Sequence, residues 1–166
     1  MRNHIFIFSI LFIITVLSSS ALAQRKYEFI FKYGVGKKNI LNTRENKFTK
    51  DRVIDSSFTV SLKFTLKEKR LVYKKLNEAN FFKLPEIYKY NIETFEEVFQ
   101  RNPCNEYEFI LLQGPINKTV KWDDCIQSTT KDPQFEKLME LSNYINSILI
   151  KKNSYKKLPK PRSGYQ

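Results

Sequence analysis

The sequence predicts an α+β domain in which two helices pack on an antiparallel sheet of about four strands, in the order β-β-α-β-β-α. Three observations lead to this prediction: a strand followed by a capped helix, a symmetric hairpin, and a long amphipathic helix after it. The domain is expected to span residues 24–150, between a signal peptide at 1–23 and a basic, disordered tail at 151–166.

The first 23 residues have the composition of a secretory signal peptide. Arg2 precedes an apolar run over residues 5–17, and residues 21–23 read Ala-Leu-Ala. A charged start, a short apolar stretch and an A-x-A end are the three parts of such a peptide. We expect cleavage between Ala23 and Gln24 and export to the periplasm or the exterior. Retention as an anchor is the alternative, although 13 apolar residues fall short of the roughly 20 that cross a bilayer.

Cleavage would remove His4, the only histidine of the chain. A mature chain without histidine cannot build Ser-His-Asp or Cys-His nucleophile systems or histidine-containing zinc sites. We therefore expect no catalytic, metal-binding or cofactor-binding residues. A carboxylate hydrolase or a Ca²⁺ site is the alternative, and it would rest on four acidic side chains: Glu106, Glu108, Asp123 and Asp124. Asp123 and Asp124 are adjacent, so on a strand they would point to opposite faces.

The positive charge lies at the two ends of the mature chain. Residues 24–53 carry nine Lys and Arg against three Asp and Glu, and residues 151–166 carry six against none. Residues 54–150 carry thirteen against fourteen and are nearly neutral. Such a distribution is typical of solvated arms rather than of a nucleic-acid-binding fold. Anionic envelope polymers or lipid headgroups are the expected counter-charges.

Two strands and one helix are predicted in the first half of the domain. Aromatic and β-branched residues favour a strand at Tyr27–Phe31, and apolar and polar residues alternate over Phe58–Phe64. A polar, basic connection is expected to begin at Gly34. Thr65 and Glu68 have the spacing of a capping box, which predicts a helix that ends near Asn80. The apolar face of this helix is Val72, Tyr73, Leu76 and Ala79. Its basic stripe, interpreted as a solvated face, is Lys67, Arg70 and Lys74.

Residues 103–125 predict a β-hairpin closed by a disulfide. Cys104 and Cys125 lie symmetrically about a turn at residues 114–115. This register gives three favourable cross-strand pairs: Tyr107 with Trp122, Phe109 with Val120, and Glu108 with Lys121. The two thiols would then face each other, and an even cysteine count in an exported chain favours a disulfide. A redox pair is the alternative, but the C-x-x-C spacing is absent.

The last predicted helix begins with Asp132 as its N-cap and Pro133 at its first position. A broad apolar stripe should make it a principal core helix. The tail that follows contains proline and glycine and lacks apolar periodicity, so we expect it to be disordered. Six basic side chains of this tail are candidate contacts to an anionic surface: Lys151, Lys152, Lys156, Lys157, Lys160 and Arg162.

The order of strand, capped helix, Asn80–Pro85 segment (NFFKLP), hairpin and helix resembles that of small exported bacterial domains of unknown function. More remotely it resembles the emfourin-type inhibitors of metalloproteases, over roughly Phe58 to Leu149. The resemblance implies a protease-inhibitor-like module. The glycine-rich N-terminal segment of those inhibitors has only a short counterpart at residues 34–36, so the resemblance assigns no inhibitory residue.

These features predict an exported, non-catalytic binding or accessory protein of the bacterial cell envelope. The expected partner is an envelope or extracellular protein of unknown identity, and no nucleic acid, cofactor or transmembrane helix is expected after cleavage. Three alternatives stay open: a protease-inhibitor-like module, a binder of anionic envelope surfaces through the basic ends, and a carboxylate-based hydrolase.

Overall fold

The computed structural model describes residues 27–92, 97–160 and 163–165. The predicted signal peptide, with its cleavage site between Ala23 and Gln24, and Arg162 of the predicted tail lie outside these residues. The strands that are described are β1 (Glu28–Gly34), β2 (Asn39–Asn42), β3 (Lys47–Arg52), β4 (Asp55–Ser61), β5 (Val98–Gln100), β6 (Glu106–Gln113), β7 (Ile116–Asp123) and β8 (Ile126–Ser128). The α-helices described are α1 (Leu66–Glu78), α2 (Pro133–Leu149) and α3 (Asn153–Lys156).

The fold class is α+β, as the sequence predicts, but the predicted number of strands is wrong. The described residues form a sheet of six antiparallel strands in the order β4-β3-β2-β1-β6-β7, rather than about four. A second sheet pairs the short strands β5 and β8. The helix count also differs, because α3 follows the two predicted helices.

The additional strands β2 and β3 lie in the segment that the sequence predicts to be a polar connection. Each strand is short and contributes one fully buried apolar side chain, Leu41 from β2 and Phe48 from β3. The turn between them is held by Asn42, whose side-chain oxygen accepts hydrogen bonds from the amides of Arg44 and Glu45 at 3.1 Å. So few apolar residues between polar neighbours form too short an alternation to predict a strand.

The core lies between one face of the six-stranded sheet and the helices α1 and α2. Aromatic residues of the neighbouring interior strands β1 and β6 form its middle, where Phe29 and Phe109 stack with ring centroids 5.1 Å apart. Phe81 meets Phe109 edge to face at 5.3 Å. Both Phe81 and Leu84 of the Asn80–Pro85 segment are buried, whereas Phe82 is 39% exposed. Aromatic packing of this kind contributes more than its buried area alone.

The capping box of α1 is confirmed. The Thr65 hydroxyl accepts a hydrogen bond from the Glu68 amide at 3.2 Å, and the Glu68 carboxylate accepts one from the Thr65 amide at 2.7 Å. Three residues of the predicted apolar face are fully buried: Val72, Leu76 and Ala79. The predicted basic stripe faces solvent.

The hairpin register is confirmed at all three predicted pairs. Tyr107 and Trp122 stack at 5.3 Å, and a disulfide joins Cys104 to Cys125. Glu108 and Lys121 lie opposite each other, and each forms an ion pair with a residue of a neighbouring segment. Lys32 lies 3.2 Å from Glu108, and Glu86 lies 2.8 Å from Lys121. The N-cap of α2 by Asp132 and the position of Pro133 are also confirmed.

The described part of the C-terminal segment (residues 151–165) packs on the domain, although the sequence predicts a disordered tail. Leu158 is buried, and the Tyr155 ring lies 5.4 Å from that of Phe48. Lys152 Nζ lies 2.7 Å from both carboxylate oxygens of Glu68. These apolar and ionic contacts hold the segment against β3, β4 and the first turn of α1.

Candidate binding surfaces

Each of the four acidic residues of the predicted carboxylate site contacts a partner of its own. Glu106 and Asp123 are opposite each other in the hairpin. Glu106 Oε2 lies 3.2 Å from Lys37 Nζ, and Asp123 Oδ1 accepts a hydrogen bond from the Cys125 amide at 3.1 Å. Both contacts hold loops at the open end of the hairpin.

Asp124 lies on the other side of the strand and is 7% exposed. It accepts hydrogen bonds from the backbone amide of Asn105 at 2.6 Å and from its side-chain amide at 2.8 Å. These two hydrogen bonds hold the strand ends together beside the disulfide. The pKa of Tyr107 is raised, mainly by burial and in second place by the nearby Asp124 carboxylate. Among the described residues, no group of three or more histidine, cysteine, aspartate and glutamate side chains is placed to hold a metal ion.

The β7 edge of the sheet is covered by residues 86–88. The Lys121 amide donates to the Glu86 carbonyl at 2.7 Å, and the Tyr88 amide donates to the Lys121 carbonyl at 2.8 Å. Asp132 anchors this segment at its far end, because one carboxylate oxygen accepts from the Tyr88 hydroxyl at 2.6 Å and from the Asn91 amide at 2.9 Å. The cover of this edge therefore depends on the N-cap of α2.

Replacing Asp132 with alanine should destabilise the protein by about 2 kcal/mol, the upper end of the range for losing an N-cap. The second oxygen of this carboxylate caps α2 by accepting from the amides of Gln134 and Phe135 at 2.9 and 3.1 Å. Asparagine keeps an acceptor at the cap, so the matched Asp132→Asn variant should lose less. Urea unfolding of both variants measures the difference, and equal losses would contradict a capping role.

The same residue makes stability depend on pH. Burial opposes ionisation of Asp132, but hydrogen bonds from Tyr88 and three backbone amides outweigh it and hold its pKa below the ordinary value. A lowered folded-state pKa gives stability that is present above the unfolded pKa of about 4 and is lost as pH falls through the folded value. The stability difference between the native protein and Asp132→Asn should therefore shrink as pH falls below about 4. Unfolding curves between about pH 6 and pH 2 test this, and a constant difference would refute it.

The C-terminal segment brings together most of the basic residues that the sequence predicts as anion contacts. The side chains of Lys151, Lys156, Lys157 and Lys160 are exposed. Lys152 differs from these four lysines, because it forms an ion pair with Glu68 within the domain. Burial opposes ionisation of Glu68, but hydrogen bonds from Lys152 and Thr65 outweigh it and lower its pKa. Arg162 lies outside the described residues.

Further lysines lie beside this segment. Lys152 reaches Glu68 in the first turn of α1, and the exposed lysines nearest to Glu68 in the chain are Lys67 and Lys63. Lys50 Nζ lies 5.0 Å above the Tyr155 ring, a cation–π distance. We call the surface formed by the following residues the basic surface: Lys63, Lys67, Lys151, Lys156, Lys157 and Lys160.

The acidic groups nearest the C-terminal segment are already engaged. Lys152 binds Glu68, while Asp51 accepts a hydrogen bond from the Tyr165 hydroxyl, which in turn accepts one from Lys38 at 3.0 Å. Within the described ranges, the lysines of the basic surface take part in no ion pair. The basic surface therefore presents charge that the domain itself does not neutralise.

No family model, curated protein or solved structure matches this chain. The resemblance to emfourin-type inhibitors and to small exported domains therefore stays a prediction. Every helix within the described ranges is too short or too polar to traverse a lipid bilayer.

The sequence predicts that the lysines of the C-terminal segment contact an anionic partner, but it does not predict that the segment folds onto the domain. The available signal was the pair Tyr155 and Leu158, two large apolar side chains three residues apart, a spacing that places them on one side of a helical turn. In a segment rich in lysine and proline that signal is weak. The contribution of Lys63 and Lys67 depends on how the segment folds back over the sheet, which no local pattern reveals.

Proposed function

We propose that this protein is an exported, non-catalytic binding module of the bacterial cell envelope that contacts an anionic surface. The observation that carries the proposal is the basic surface, because the folded C-terminal segment carries four exposed lysines and is held through Lys152 at the first turn of α1, next to exposed Lys67. Fixed, unpaired cations attract phosphate- or carboxylate-rich polymers and lipid headgroups. The Cys104–Cys125 disulfide supports the export part of the proposal, because such bonds persist in oxidising compartments.

The held position of these lysines matters for binding. A disordered tail loses conformational entropy when it is immobilised on a partner. Here Tyr155, Leu158 and Lys152 already fix the segment through contacts with the sheet and α1. Each lysine near an anionic membrane surface contributes about 1 kcal/mol, which falls as salt screens the charges. Four to six such lysines are enough for reversible, salt-sensitive binding.

The test is a charge reversal on the basic surface. The variant changes Lys156, Lys157 and Lys160 to glutamate and is compared with the native protein for sedimentation with phosphatidylglycerol-containing vesicles and for binding to soluble polyphosphate. Losing three contacts of about 1 kcal/mol each should weaken binding by roughly 100-fold. The two probes distinguish a lipid headgroup from a free phosphate polymer as the source of the charge.

A matched control reverses three exposed lysines elsewhere: Lys89, Lys131 and Lys137. Lys131 and Lys137 lie near the start of α2, whose 17 residues span about 25 Å to the C-terminal segment. Both variants have the same net charge, so only a local surface separates them. Equal losses would mean that binding follows net charge alone, and absence of binding by the native protein to both probes would refute the proposal.

A further inference from the structure

The turn between β3 and β4 consists of two apolar residues. Arg52 and Asp55 are the last paired residues of the two strands, so the loop between them contains only Val53 and Ile54. The Ile54 side chain is 70% exposed, more than any other large apolar side chain in the described ranges. Two-residue hairpin loops usually carry asparagine, aspartate or glycine. Hairpin stability alone therefore does not account for these two residues.

The backbone at Val53 is strained. Its φ is 66°, in the left-handed region that glycine and asparagine adopt readily and that a β-branched residue rarely occupies. The Ile54 amide donates to the Arg52 carbonyl at 2.9 Å, which closes a tight three-residue turn around Val53. A glycine at this position would avoid the strain. An apolar turn that keeps such strain points to a role for its side chains outside the domain.

The C-terminal segment is attached to β3 on both sides of three of its lysines. Before them, the Tyr155 ring lies 5.4 Å from that of Phe48 and 5.0 Å from Lys50 Nζ. After them, the Tyr165 hydroxyl donates a hydrogen bond to Asp51. The lysines of the basic surface between these two attachments are Lys156, Lys157 and Lys160. Because both attachments lie on the strand that leads into the β3–β4 turn, these lysines are held near that turn.

The acidic groups next to the β3–β4 turn are engaged within the domain. Asp55 Oδ2 lies 2.7 Å from Arg52 Nη2. Asp51 accepts the hydrogen bond from Tyr165, and Lys38 Nζ lies 5.2 Å from the centroid of that tyrosine ring. The three lysines between the attachments form no ion pair with any residue that the structure describes. Unpaired positive charge therefore lies near an exposed apolar turn.

We propose that the β3–β4 turn inserts into the surface of an anionic lipid bilayer, with Ile54 at the boundary between headgroups and acyl chains. This inference rests on the proposed function and narrows the partner from an anionic surface to a membrane. Lysines at the level of the headgroups and an apolar side chain below them combine electrostatic attraction with burial of apolar area. A soluble anionic polymer offers the charge but has no apolar layer to receive Ile54.

The test compares the Ile54→Ser variant with the native protein for sedimentation with phosphatidylglycerol-containing vesicles and for binding to soluble polyphosphate. Loss of one inserted aliphatic side chain should weaken vesicle binding roughly tenfold. Binding to polyphosphate should not change, because the substitution leaves every lysine in place.

Ile87→Ser is the matched control. Ile87 is 61% exposed, but it belongs to the segment that covers the β7 edge, at the opposite end of the six-stranded sheet. Five strand spacings of about 4.8 Å each separate β4 from β7. This variant should bind vesicles like the native protein. Equal losses in the two variants would mean that insertion is not specific to the β3–β4 turn, and would overturn the proposal.

A fluorescent variant reports insertion directly. Trp122, the only tryptophan of the chain, is 3% exposed, so its emission should not respond to vesicles. In Ile54→Trp the emission of the introduced indole should shift to shorter wavelength with the vesicles but not with polyphosphate. An unshifted emission, unchanged vesicle binding by Ile54→Ser, or binding of the native protein to polyphosphate alone would overturn this inference and leave the proposed function standing. A native protein that binds neither probe would refute the proposed function itself.

Discussion

The Phe109→Ala variant should unfold with a free energy about 4 kcal/mol lower than that of the native protein, the largest stability loss that we expect. Phe109 is fully buried on β6, next to aromatic rings of β1 and of Phe81. Its ring lies 5.1 Å from Phe29, 5.3 Å from Phe81 and 6.0 Å from Phe31. Truncation leaves a cavity that these three rigid rings cannot collapse to fill. Urea unfolding measures the change.

Phe82→Ala is the matched control for this prediction. Phe82 is the same residue type beside the same core, but it is 39% exposed, and its ring centroid lies 5.8 Å from that of Tyr73 and 6.0 Å from that of Phe81. Its loss should cost about 1 kcal/mol. Comparable losses for the two variants would mean that the central aromatic cluster does not dominate the stability of this domain.

Removal of the disulfide by the double variant Cys104→Ser, Cys125→Ser should lower the free energy of unfolding by about 3 kcal/mol. The bond joins residues 21 apart, and its loss restores conformational freedom to the unfolded chain. Such a change should lower the Tm by roughly 10 °C. The fold itself should persist, because the three cross-strand pairs and the aromatic core do not depend on the bond.

Calorimetry of three samples checks this prediction: the native protein, the reduced native protein and the double variant. The reduced protein and the variant should melt at the same lowered temperature. An unchanged midpoint after reduction would show that Cys104 and Cys125 are not paired. Loss of cooperative melting in both would show instead that the hairpin cannot form without the covalent link.

The hairpin and the two long helices could be predicted because their signals are local. Cys104 and Cys125 have a symmetric spacing about one turn, and the residues between them pair in only one favourable register. Thr65 and Glu68 specify a helix start by bonding to each other's backbone, and Asp132 does so by capping its own helix. The hairpin and the two helix starts are each specified by residues within about 20 positions of one another.

The position of each strand in the sheet could not be predicted in this way. The alternation over Phe58–Phe64 predicts a half-buried strand, and Leu62 and Phe64 are indeed buried. Phe58 belongs to the same pattern but is 45% exposed, because β4 lies at the sheet edge beyond the helices. Burial of a strand depends on its neighbours, which sequence alternation does not identify.

The candidate surface was predictable in composition but not in geometry. The lysines and prolines of the C-terminal segment favour disorder. In the structure Leu158 is nevertheless buried and Tyr155 packs against Phe48, which composition alone does not predict. The pairing of Lys152 with Glu68 joins residues 84 apart, so no local rule could separate this lysine from its exposed neighbours. Likewise, the place of β4 at the end of the sheet follows from strand order alone.

The pairing of β1 with β6 limits when the core can close. Lys32 and its ion-pair partner Glu108 are 76 residues apart, so β1 gains this neighbour only after most of the chain has been made. Closing such a long loop is slow compared with forming a local hairpin. Strands β1 to β4 can pair as consecutive hairpins, but the aromatic core between β1 and β6 forms only once residues 106–113 have been made. A chain whose core is incomplete is still able to pass through the export channel proposed for it.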